Sequence, residues 1–235
     1  MLEANLFTFL TVGFLLGLRH ALDADHLAAV STVLAERPSM RASGLVGLWW
    51  GVGHTLTLMM VGAVVLVSGI HIPEPFALFA ESGVGLLLVV LGGTLAFKLF
   101  RERWHLHRHV HDGEPHVHLH SHRRREDHAH PHWARQSLRP LLIGMAHGVA
   151  GSAALMLVIV SNTSGIGQGL LYIAVFGLGS IGGMLMVGLT LSVPVIYSQA
   201  IGQRTFFAVQ GAASLGSVGL GLWMLYRLVL SPDGL

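Results

Sequence analysis

Six apolar runs, near residues 5 to 34, 44 to 69, 81 to 100, 139 to 160, 168 to 196 and 206 to 230, are each long enough for an α-helix to cross the hydrocarbon core of a bilayer. In lipid the backbone has no water to bond to, so such runs leave few folds besides a bundle of spanning helices. With 52% hydrophobic and 11% charged residues and a mean hydropathy of +0.64, the chain lacks the polar surface of a water-soluble domain. The expected fold class is all-α: a polytopic membrane protein with six transmembrane helices. The first run has no basic leader and continues into polar residues, which reads as a retained helix and not as a cleaved signal peptide. It exceeds the ~20 residues that a bilayer requires, so a bend or break near its polar residues is expected.

Those polar residues are His20-Ala21-Leu22-Asp23-Ala24-Asp25-His26. Ionisable side chains inside a membrane are expensive unless they face a partner, a cavity or a ligand, so the cluster is a candidate site. The chain has no cysteine, which leaves His and carboxylate as the strong ligands for any transition metal. Helical rise puts His54 and His147 at a similar depth, so the candidate metal ligands are His20, Asp23, Asp25, His26, His54 and His147. On an unbroken helix His20, Asp23 and His26 share about a third of the circumference, and Asp25 falls farther round, in a supporting role or on the opposite face. Imidazole with a few carboxylates suits Ni²⁺, Co²⁺ or Zn²⁺ better than Mg²⁺ or Ca²⁺. The competing role for these histidines is structural, as hydrogen-bonded braces between helices, and it weighs most for His54 and His147.

The chain resembles itself. Leu15-Leu16-Gly17-Leu18-Arg19-His20-Ala21 aligns with Leu142-Ile143-Gly144-Met145-Ala146-His147-Gly148, and Met59-Met60-Val61-Gly62 with Leu185-Met186-Val187-Gly188 at nearly the same offset. Ser180 then falls near the equivalent of His54. Three helices per half require the second half to be inserted upside down, giving two inverted three-helix repeats, residues 1–100 and 139–235. All Lys and Arg except Arg19 and Arg227 fall in or beside the loops at 35 to 43, 101 to 138 and 197 to 205. The positive-inside rule makes that side, side B, cytoplasmic, and leaves both termini outside on side A.

Between the repeats, residues 101–138 hold His105, His107, His109, His111, His116, His118, His120, His122, His128, His130 and His132 among arginines, acids and prolines. This composition cannot bury a core, so a largely disordered cytoplasmic loop is expected. Its alternating histidines suit secondary capture of borderline cations; an incidental low-complexity linker and a lipid-binding basic tract around Arg123-Arg124-Arg125 are the alternatives.

His20, Asp25 and His26 match the His-x4-Asp-His signature of the nickel/cobalt transporter superfamily, and Leu48-Trp49-Trp50-Gly51-Val52-Gly53-His54-Thr55 is similar to its branch of nickel/cobalt efflux and urease-accessory-type membrane proteins. The resemblance implies that His20, Asp25 and His26, with Asp23 between them, make the essential metal contacts. It covers nearly all of the apolar chain. The importers' acidic second-half signature is absent here, since Gly144 to Ser152 contains no carboxylate, and the His-rich insertion is similar to that of the efflux branch. The expectation is thus a transporter of Ni²⁺ or Co²⁺ in the cytoplasmic membrane, exporting its ion, with the metal as substrate and no permanent cofactor. Nickel import and a membrane metallochaperone supplying urease or hydrogenase maturation are the alternatives. No P-loop is present, so coupling would come from an ion gradient, and protonation of His20, His26 or His54 would link it to protons. Nothing supplies a catalytic nucleophile or calls for nucleic acid, so an enzyme is not expected. The partners are the metal ion and the bilayer, with a homo-oligomer left open.

Overall fold

The computed structural model describes residues 2–36, 39–70, 72–103, 106–111, 114–119, 133–163 and 165–230. In chain order these form α1 (Leu2–His20), α2 (Ala24–Ala35), α3 (Met40–Ser68), α4 (Glu74–Arg103), β1 (Leu106–His111), β2 (Glu114–Leu119), α5 (Trp133–Asn162), α6 (Ile166–Ile201) and α7 (Gln203–Leu230). Among the described residues the fold is helical apart from one short hairpin. Among the described residues α3, α4, α6 and α7 are each long and apolar enough to cross a membrane, and α1 with α2 adds a fifth candidate span. Large apolar side chains such as Phe7, Val67, Phe79, Leu215 and Val229 face outward, at 70% to 76% exposure, as a lipid-solvated surface requires.

The first apolar run is two helices, bent by 52° across residues 21 to 23. The unbroken-helix geometry expected for His20, Asp23 and His26 is therefore corrected. No proline or glycine makes the break. Leu22 and Asp23 donate their N–H groups to the carbonyls of Arg19 and His20, closing α1 in a tight turn. Asp23 is extended (φ −62°, ψ 146°) and begins α2 as its N-cap, a position aspartate favours. Its carboxylate does not cap α2; it is engaged elsewhere, as described below.

α3 packs on α5 and α6, α1 on α6, α4 on α7, and α2 lies against α4, α6 and α7. Small residues let these backbones approach, the usual device for helix association in lipid. A Cβ at Gly17 would overlap the Phe176 carbonyl, and one at Gly144 the Trp50 carbonyl. One at Gly53 would strike Leu141 and Met145, and one at Gly179 Phe14 and Leu18. Below the break, α2 buries Ala29, Val30, Val33 and Leu34 among Trp50, Leu88, Leu91, Ile143 and Met184. Gln210 and Thr32 tie α2 to α7 through the Ala35 and Ala213 carbonyls, at 2.6 and 3.3 Å.

Glu36, just past α2, accepts from Lys98 Nζ and Arg139 Nη1, each at 2.9 Å, and so joins α2 to the last turns of α4 and the first of α5. Burial raises the Glu36 carboxyl, but the hydrogen bonds and charges of Arg139 and Lys98 outweigh it and hold the group below its ordinary range. Its contribution to stability is complete above the ordinary carboxylate value and is lost as pH falls through that value to the lowered one. Both cations are about half exposed, so Glu36→Gln is expected to cost about 1 kcal/mol at neutral pH. Thermal unfolding in detergent checks this: the gap between variant and unaltered protein should close as pH falls below 4.5.

The segment expected to be largely disordered contains an antiparallel hairpin whose register sets His107 opposite His118, His109 opposite His116 and His111 opposite Glu114. Alternating sequence with period two is what a strand requires. His105, His120, His122, His128, His130 and His132 lie outside the described residues.

Candidate metal centre

The turn at 21 to 23 folds His26 back toward His20, and α3 delivers His54 from its midpoint. One nitrogen from each of His20, His26 and His54 can be chosen so that all three lie within 4.8 Å of one another. The hydrogen bonds indicate which nitrogens these are. His20 Nδ1 lies 2.8 Å from Asp23 Oδ2, and His26 Nδ1 lies 3.0 Å from Asp25 Oδ1. A carboxylate that accepts from Nδ1–H fixes the tautomer and leaves the Nε2 lone pair available, the usual support of a metal-bound imidazole. His20 Nε2 is 3.2 Å from His54 Nε2. Two nitrogens bound to one ion at about 2.0–2.1 Å would sit roughly 3 Å apart, so the pair is spaced as ligands to a common cation.

Burial sharpens this reading. His26, His54 and His147 are 2%, 0% and 1% exposed. Among the described residues, His26 Nε2, His54 Nδ1 and both ring nitrogens of His147 lack hydrogen-bond partners. Each orphaned polar atom costs about 1–3 kcal/mol, which fits poorly with imidazoles serving only as braces and well with groups awaiting a ligand.

All six sequence-predicted ligands converge on this region, in different parts. His20, His26 and His54 form the trio, and Asp23 and Asp25 support two of them. His147 stands a step away, its ring 5.1 Å from that of His26 and its Nε2 4.0 Å from Asp25 Oδ2. Two neighbours were not singled out as site residues from sequence: Trp50 lies 5.2 Å from the His147 ring and Phe176 5.6 Å from that of His20, centroid to centroid. Trp50 carries a signal, the tryptophan pair just before His54; Phe176 carries none. Ser180 is fully buried with its hydroxyl unpartnered among the described residues. A cavity of about 470 Å³ reaches His20, Asp23 and Asp25, and its wall includes Arg19, Glu81 and Phe176.

Comparison with known proteins agrees with this chemistry. Residues 6–193 match the NicO family profile, described as a high-affinity nickel-transport protein. The chain is 34% identical over 196 residues to the urease accessory protein UreH of Bacillus sp. (strain TB-90), covering 83% of this chain and 81% of that one. It is 36% identical over 86 residues to the high-affinity nickel transport protein of Cupriavidus necator, covering 36% of this chain and 23% of that protein. It is also 28% identical over 101 residues to the hydrogenase nickel incorporation protein HupN of Bradyrhizobium diazoefficiens, covering 40% and 26%. No solved structure matches the chain. By its profile match, and with membrane-spanning helices around a histidine cluster, the chain belongs to the NicO family of nickel-transport proteins, whose role is transport and not catalysis.

Proposed function

We propose that this protein carries Ni²⁺, and Co²⁺ with it, across the cytoplasmic membrane, holding the ion between His20, His26 and His54 while Asp23 and Asp25 orient the rings and balance its charge. One observation carries the reading: imidazoles from α1, α2 and α3 meet beside the break, with carboxylates on two of their Nδ1 atoms. Two aspartates offset a divalent charge in a low-dielectric setting, and imidazole nitrogen selects borderline cations over Mg²⁺ and Ca²⁺.

The helices act as six spans in two inverted repeats, with α5 as the sixth; at 30 residues it is long enough. Support comes from reciprocal packing. Under the alignment of the two halves, Gly17 against Phe176 corresponds to Gly144 against Trp50, and Gly53 against Leu141 and Met145 corresponds to Gly179 against Phe14 and Leu18. Gly51 against Ile181 likewise corresponds to Gly177 against Thr55. Shared apolar composition alone would not produce the same contacts twice. Rocking one repeat against the other would expose the central site to each side in turn. Charge bias supports a cytoplasmic side B bearing the His-rich insertion, whose histidines gather ions.

Export is the direction favoured, because the second-half helix has no carboxylate between Gly144 and Ser152 to tighten uptake. Proteoliposomes loaded with Ni²⁺ test the carrier: the unaltered chain should release metal, and Asp25→Asn should not. Expression in cells should lower their nickel content, and a rise would reverse the direction. The likeness to a urease accessory protein favours a second reading, a metallochaperone that uses 105–132 as its reservoir. Deleting those residues separates the two, since a carrier keeps its flux at raised metal and a reservoir loses function.

A further inference from the structure

The cavity above the histidines is one-sided. Leu58 lies one turn beyond His54 toward the end of α3, and Gly151 one turn beyond His147 toward the end of α5. Met224 lies near the end of α7, and Phe176 precedes Ser180 on α6. All four lie toward side A, where α3, α5 and α7 end and α4 and α6 begin. Toward side B the buried face of α2 and the Glu36 ion pairs close the bundle. In this conformation an ion on the His trio therefore exchanges with side A, through the cavity.

Glu81 is the third carboxylate on that cavity wall, and it comes from α4, which gives no residue to the His cluster. It stands two turns into α4, roughly 10 Å from the helix start at about 1.5 Å per residue, inside an otherwise apolar stretch. Among the described residues it makes no hydrogen bond or ion pair, so no bracing role accounts for a carboxylate here. A carboxylate facing a cleft with low-dielectric walls concentrates cations there and raises their arrival rate.

We propose that Glu81 is a pathway residue: it draws the hydrated divalent cation between the side A solution and His20, without being a ligand in the site itself. The inference rests on the metal-carrier reading above. The test uses the full chain, with Ni²⁺ alone as probe, comparing Glu81→Gln, Glu81→Asp and Asp25→Asn. Ni²⁺ affinity is read by calorimetry on purified protein, and flux in proteoliposomes across a range of metal and salt concentrations. Glu81→Gln should bind Ni²⁺ within about twofold of the unaltered chain, yet carry it about tenfold more slowly at low metal and low ionic strength. The deficit should shrink at saturating metal and in high salt, and Glu81→Asp should restore most of the flux. Unchanged Glu81→Gln flux beside an inactive Asp25→Asn overturns the Glu81 assignment alone. Loss of Ni²⁺ binding in Glu81→Gln also overturns it, by making Glu81 a ligand or a structural group. If Asp25→Asn keeps both binding and flux, the carrier reading falls and this inference with it.

Discussion

Replacing His54 with alanine is expected to weaken Ni²⁺ binding by more than about 100-fold and to abolish carrier flux at low metal. Removing a group that supports a metal ligand typically costs about 10–100-fold in affinity, and His54 is placed as a ligand itself, with Nε2 3.2 Å from that of His20. Asp25→Asn should fall within the supporting range, because an amide in place of the carboxylate at His26 Nδ1 weakens the hold on the ring's tautomer. His147→Ala should cost less than about tenfold, since its ring stands outside the trio, 5.1 Å from that of His26, with its Nε2 4.0 Å from Asp25 Oδ2. Calorimetry on purified protein gives the affinities, and thermal unfolding without metal shows that each variant folds. Equal losses for His147→Ala and His54→Ala would move the ion to the space between His26 and His147. No loss for His54→Ala would leave the cluster as a brace.

The helical class was legible in the sequence because lipid permits few alternatives over apolar runs of that length; of the six runs, four lie in helices that are long and apolar enough to span among the described residues, and the first adds a fifth as the bent α1–α2 pair. The candidate cluster was legible for a related reason. Four ionisable residues between His20 and His26 have no cheap structural purpose in hydrocarbon, and depth alone brought in His54 and His147. Its internal geometry was not legible. Periodicity applied to an intact helix set Asp25 apart from the other three, whereas the break lets Asp23 and Asp25 each reach a different imidazole. A break near the polar residues was legible from the length of the run; its exact place carries only a faint signal, an aspartate at an N-cap. Glu81 belongs to the cavity through tertiary packing, and α4 by itself gives no hint of what it faces.

Packing at the small residues sets how closely these ligands can meet, and it yields the second large effect. Gly53→Ala is expected to cost about 1–3 kcal/mol, because the new Cβ strikes the Leu141 carbonyl, backbone that cannot swing aside. Gly53→Leu should yield no recoverable folded protein. The same shift that relieves the overlap pushes α3 from α5 beside His54, so Gly53→Ala should also weaken Ni²⁺ binding. Gly93→Ala provides the control: nothing lies within 4 Å of its Cβ, and removing a mid-helix glycine should be neutral or stabilise by up to about 1 kcal/mol. If the halves are inverted repeats, Gly179→Ala, which strikes the Phe14 carbonyl, should match Gly53→Ala to within about 1 kcal/mol, the reach of an ordinary change in local packing. Unfolding midpoints in detergent for the three alanine variants decide it. A tolerated Gly53→Ala beside a disruptive Gly179→Ala would mean that the two contacts are not equivalent, and the shared packing would no longer support a duplicated architecture.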